Sequence, residues 1–160
     1  MKTRKGKPGY RKKTRELLVR LLFQMASTGD FSDEAKEGFL DDKSLYAGGA
    51  DGDIFDEASS EEPDMSYLNW AFVCVRDHID EIDEALNKAS EKWSLSRMSG
   101  VDLAILRVAA GEILYIEEIE DNISVNEAVL LAKKYGSEKS AGFINGILGA
   151  VTRSSDEAVQ

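Results

Sequence analysis

The chain has 160 residues, 42% of them hydrophobic and 31% charged, and a formal net charge of −10, which suits one domain or two small subdomains sharing a core. No apolar run approaches the roughly 18 residues of a membrane-spanning helix, and the basic N-terminus lacks the apolar segment of a secretory signal. Cys74 is the one cysteine, which excludes an internal disulfide and a cysteine-based zinc site and points to a reducing cytoplasm.

β-branched alternation is nowhere sustained, so the pattern predicts helices alone. Residues 1–20 hold nine Lys/Arg against Glu16, a local charge of +8 that leaves −18 on the other 140 residues. A basic end on an acidic body suits a polyanion partner; a solvated basic tail is the plainer alternative. Residues 1–9 contain Gly6, Pro8 and Gly9 and are expected to form a disordered basic arm. A first helix is expected over about 11–27, with Leu17, Leu18, Leu21, Leu22 and Met25 as its apolar face and Arg11, Lys12 and Arg15 on the solvent side.

Residues 30–65 carry thirteen acids and two lysines. A short helix over 33–45 is expected to dock through Phe39, Leu40 and Leu45, and the remainder reads as a flexible acidic insertion. Its acids lack the ligand order of a calcium loop, so no metal is expected. The spacing of Leu68, Phe72, Val75, Ile79, Ile82 and Leu86 predicts one long helix over 64–89. His78 borders that stripe with no nucleophile placed to pair with it, and reads as structural.

Ser99, with Asp102 three residues on, predicts the start of a helix that is apolar nearly all round and therefore central. Ser124 and Glu127 fit a capping box for the next helix, which ends at Lys133, Lys134 and a left-handed Gly136. A last helix carries Phe143, Ile144, Ile147, Leu148 and Val151, with Gly142, Gly146 and Gly149 leaving room for a neighbouring backbone. Residues 154–160 are expected to fray. No nucleophile–base pair, metal cluster or phosphate-cradling loop emerges, so neither an enzyme nor a cofactor is expected.

The run NEAV-LAKKYG followed by F-NG-L (126–148), the block WSLSRMSGVDLAILRVAAGEIL (93–114) and the basic RKKTRELLVRLLFQM (11–25) occur in one order. Together they resemble the NusB family of bacterial transcription antitermination factors. The resemblance implies an all-α fold of two small antiparallel helical bundles packed together, formed by residues 10–153 as a single domain. It implies pairing with NusE, a small ribosomal protein, on boxA-type single-stranded RNA, within an RNA polymerase antitermination complex that acts on ribosomal RNA operons. A homodimer is also compatible with it.

Residue by residue, Arg11 and Arg15 match basic positions of the family's arginine-rich helix, with Lys12 and Lys13 in place of arginines. Tyr135 and Phe143 align with aromatics beside the RNA, flanked by Lys134 and Lys139. Phe143 equally continues an apolar stripe. Phe23 and Asp102 match positions that face the ribosomal partner; core packing and helix capping are their plainer roles. Asn126 and Asn145, hallmarks of the signature, are expected to bond neighbouring backbone groups. The acidic insertion is longer than in compact relatives and either screens the basic helix or is inert. The competing functional reading is a protein-binding helical scaffold with no direct RNA contact.

Overall fold

The computed structural model describes residues 8–42, 63–90 and 98–159, with side chains in 12–42, 63–90 and 98–156. Among these residues there are seven helices and no strand: α1 (Pro8–Thr28), α2 (Asp33–Asp41), α3 (Met65–Asp77), α4 (Ile79–Ser90), α5 (Gly100–Tyr115), α6 (Asp121–Tyr135) and α7 (Ser140–Val159). None of them is long and apolar enough to cross a membrane.

Helix α1 begins at Pro8, whose fixed φ and missing N–H suit a first helical residue. Two residues of the expected arm are therefore helical, and residues 1–7 lie outside the described residues. The helix ends at Gly29, which takes φ +75° and donates its N–H to the Met25 carbonyl at 2.7 Å. Ser32 then caps α2 by accepting the Ala35 N–H at 3.1 Å. Phe39 docks as expected and Leu40 is half-buried, whereas Leu45 falls outside the described residues. Arg76 on α3 clamps α2 from the side, reaching Asp33 at 2.6 Å with its guanidinium 5.0 Å from the Phe72 ring centroid.

The single helix expected over 64–89 is broken at His78. The His78 backbone N–H donates to the Cys74 carbonyl, and its ring Nδ1 lies 2.9 Å from the same oxygen. The ring stacks on Tyr115 at 4.0 Å. His78 takes φ −118° and ψ 22°, outside helical geometry, while the apolar register carries on into Ile82 and Leu86. The histidine stands at the junction of the two helices.

Helix α5 occupies the centre, packed against α1, α3, α4, α6 and α7. Its near-continuous apolar surface has no solvent side to spare. Ser99 caps it as expected, accepting the Asp102 N–H at 3.1 Å. Arg107 is its half-buried cation and donates two bonds, 2.9 and 2.8 Å, to Asp83 of α4.

The capping box expected at Ser124 does not form. Helix α6 starts earlier, at Asp121, so Ser124 lies in its first turn with its side chain buried. Buried Ile116 and Ile119 pin the acidic link before it. Helix α7 is helical through Val159, where fraying was expected, and Ser155 on its last turns is half-buried. The glycines of α7 make no close helix–helix approach: a Cβ at Gly142 or Gly146 would meet nothing within 4 Å. Asn126 and Asn145 are likewise exposed.

Candidate nucleic-acid and partner interface

The basic helix presents less charge than its sequence promises. Lys12 is exposed, but Lys13 and Arg15 are buried, which corrects the solvent-side placement expected for Arg15 and the availability expected of Lys13. The side chain of Arg11 lies outside the described residues. The cause is that α1 packs against α5, α3 and α2 together, so its polar side is covered as well.

Arg15, 4% exposed, points instead at Glu112, 1% exposed, on the central helix. Its Nε donates to both carboxylate oxygens, at 2.8 and 3.1 Å, and the Tyr67 hydroxyl donates to Glu112 Oε2. Burial, the largest influence, would lower the Arg15 pKa, and Glu112 together with Tyr67 and Glu127 more than offsets it, so the guanidinium is held more firmly charged than usual. Sequence reasoning passed over Glu112. The available signal was an acid deep inside a mostly apolar helix, which must find a cation or a donor.

The corner between α6 and α7 consists of residues 136–139. Gly136 ends α6 with extended backbone, φ −91° and ψ −177°, rather than the left-handed form expected. Glycine is required there by space: a Cβ would sit 2.5 Å from the Ser140 Cβ and 2.8 Å from the Ala132 carbonyl oxygen. Lys133 and Lys139 are exposed beside it, and Phe143 is half-buried against the core.

Tyr135 and Lys134 both reach back to α1. The Lys134 ammonium lies 2.6 Å from Glu16 Oε1, and the Tyr135 hydroxyl donates to the same oxygen. Burial first, and then that carboxylate, push the Tyr135 phenol above its ordinary range, so it remains a donor at any working pH.

The ring of Tyr135 walls a groove of about 430 Å³ that also includes Val19, Phe23, Phe39 and Val101. Phe23 is 41% exposed at its edge, so it is surface rather than core. The structure thus brings Tyr135, matched to RNA, into one groove with Phe23, matched to the protein partner.

Asp102 differs from the exposed acid that pairing with an arginine suggests. It is 9% exposed, and its Oδ2 accepts a 3.0 Å bond from Ser140 Oγ, while Oδ1 is buried with no hydrogen-bond partner. Ser140 Oγ in turn accepts the Ser137 N–H at 2.9 Å. No group of three potential metal ligands occurs among the described residues.

Comparison with known proteins places this geometry. The sequence profile of the NusB family matches residues 12–153. The transcription antitermination protein NusB of Clostridium botulinum (strain Hall) is 38% identical over 139 residues, covering 87% of this chain and 96% of that protein. The protein of the same name from Natranaerobius thermophilus is 37% identical over 153 residues, covering 92% and 98%. Among solved structures, T. maritima NusB superposes with a TM-score of 0.70 at 28% identity, covering 96% of this chain and 93% of that chain. The same fold, at TM-score 0.72 and 24% identity over 92% of this chain and 98% of that one, occurs in a crystal structure of antitermination factors NusB and NusE in complex with dsRNA.

Proposed function

Since the chain belongs to the NusB family, we propose that it is a cytoplasmic RNA-binding antitermination factor that pairs with NusE on boxA-type single-stranded RNA. In this reading the pair joins the RNA polymerase antitermination complex and promotes transcription of ribosomal RNA operons. The protein is an adaptor and not an enzyme. The observation that carries the reading is an aromatic groove, lined by Phe23, Phe39 and Tyr135, on a body whose Lys12, Lys133 and Lys139 are exposed. Unpaired RNA is held by cations along its backbone and by aromatic faces against its bases. A basic ribosomal partner suits a body of net charge −10.

The inward turn of Lys13 and Arg15 favours a second reading, a helical scaffold that binds protein alone. A titration of the protein with its cognate NusE against boxA-type and scrambled RNA, across salt concentrations, separates the two. RNA binding predicts a log–log salt slope of about −0.7 per neutralised phosphate. Lys12→Ala with Lys139→Ala flattens that slope by about 0.7 for each lysine that meets a phosphate. The scaffold reading predicts no RNA affinity for the lysines to alter.

The partner face has its own test. A Cβ at Gly100 would come within 2.8 Å of Phe23 Cε2, the far end of an exposed side chain that is able to swing. Gly100→Ala is therefore expected to leave stability within about 0.5 kcal/mol, as surface substitutions do, while weakening NusE binding several-fold by calorimetry. Unchanged affinity would remove Phe23 from the contact.

A further inference from the structure

Glu16 is the one acid among the first 20 residues, yet its side chain is only 6% exposed. A carboxylate buried to that degree is costly unless strong donors meet it. Two donors to it come from consecutive residues at the end of α6, and both fall on Oε1. The Tyr135 hydroxyl is thus anchored to α1 while its ring walls the groove beside Phe23. Lys134, which follows exposed Lys133 in the chain, shares the anchor.

The far end of the same corner is held in a similar way. Ser140 opens α7, takes the Ser137 N–H and donates to buried Asp102 at the start of α5. The corner 136–139 is therefore suspended between two buried carboxylates, Glu16 on the basic helix and Asp102 one residue from Val101 of the groove wall. Asp102 Oδ1 is buried without a hydrogen-bond partner among the described residues, so the Ser140 bond is what ties this carboxylate to the corner.

We propose that Glu16 is a positioning residue that, together with the Asp102–Ser140 bond, couples the partner groove to the RNA-facing corner, so that a partner seated against Tyr135 sets the corner for RNA. Directional hydrogen bonds to a charged group suit this task better than apolar contact. They hold one arrangement of the corner and lose most of their strength when it shifts. Coupling of this kind is reciprocal: whatever the partner adds to RNA affinity, RNA adds to partner affinity. The inference rests on the RNA-and-NusE reading above.

The test is the ratio of RNA affinities with and without saturating NusE, measured by fluorescence anisotropy on boxA-type RNA. Three variants of the full chain are compared with the parent: Glu16→Gln, Tyr135→Phe and Ser140→Ala. Tyr135→Phe keeps the ring for groove and base contact and removes only the tether. The expected result is that the ratio falls at least fivefold in Glu16→Gln and about threefold in each of the other two.

A merely structural role would weaken RNA binding equally in both arms and leave the ratio unchanged, which overturns the inference. A parent ratio near one overturns it too. If Glu16→Gln does not fold, Tyr135→Phe and Ser140→Ala decide by the same criterion. A parent complex that binds no RNA in either arm defeats the functional reading itself, which distinguishes that failure from loss of the coupling.

Discussion

Glu112→Ala is expected to lower stability by about 3–5 kcal/mol, the usual cost of leaving one partner of a buried ion pair uncompensated. For a chain of this size that is a fall in Tm on the order of 10 °C. The hydrogen bonds that Arg15 makes to a carboxylate both fall on Glu112, and one of its terminal nitrogens is already buried without a partner. Tyr67 loses the Glu112 acceptor in the same step. Urea and thermal unfolding measure the loss directly; a change under about 1 kcal/mol would mean that water or a local shift rescues the guanidinium.

Removing the whole polar cluster has a different sign of argument. Arg15→Met, Tyr67→Phe and Glu112→Leu together replace three buried polar groups by apolar ones of similar size, and such exchanges are often neutral or stabilising. The triple variant is expected to recover most of what Glu112→Ala loses. The comparison also guards the RNA experiments: Arg15→Ala is expected to lower activity through lost stability, because it leaves Glu112 buried without its cation, whereas Lys12 and Lys139 are exposed and can be replaced without opening the core.

The parts of the fold legible in the sequence are those set by local period and local caps. The apolar stripe of α1 from Leu17 to Met25, the Ser99 cap and the all-round apolar surface of α5 each follow from neighbours within a turn or two. The break at His78 was invisible because the stripe keeps its register through it, and the ring contact made there is with Tyr115 on another helix. At Ser124 a true capping-box pattern was overridden, since α6 gains a turn by starting at Asp121 and buries the serine.

The candidate site shows the same division. Lys139 and Lys12 stand on the surface as charge patterning suggests. Arg15 and Lys13 do not, because helical periodicity says which residues share a face and not how many neighbouring helices cover it. Phe23 and Asp102 came from family resemblance alone. The pairing of Glu16 with Lys134 and Tyr135 spans 118 and 119 residues of chain, and no spacing rule reaches that far. One faint signal existed, a single acid within a basic helix, and an acid so placed is easily read as a surface counter-charge.

Gly136→Ala gives the sharpest test of how rigidly the corner is built. Two effects oppose each other. Alanine narrows the unfolded ensemble, and at a compatible backbone this adds about 0.4–1 kcal/mol of stability. The backbone is compatible here, since φ −91° and ψ −177° suit any residue. Against that, the added methyl would lie 2.5 Å from Ser140 Cβ and Oγ and 2.8 Å from the Ala132 carbonyl oxygen, which accepts the Gly136 N–H. Neither obstacle is the loose end of a long side chain, and relieving such overpacking costs about 1–3 kcal/mol. The collision outweighs the entropy, so the variant is expected to be destabilised by about 1–2 kcal/mol. It is also expected to bind boxA-type RNA more weakly even with NusE present, because the shift passes directly to Tyr135 and Ser140. Gly142→Ala supplies the contrast, with nothing within 4 Å of its Cβ on an exposed helical face. There only propensity acts, and stability rises by about 0.5–1 kcal/mol. Opposite signs at two glycines six residues apart, read by urea unfolding, would show that close packing of the corner, and not glycine's backbone freedom, is what position 136 needs; a stabilised Gly136→Ala would mean that the corner yields.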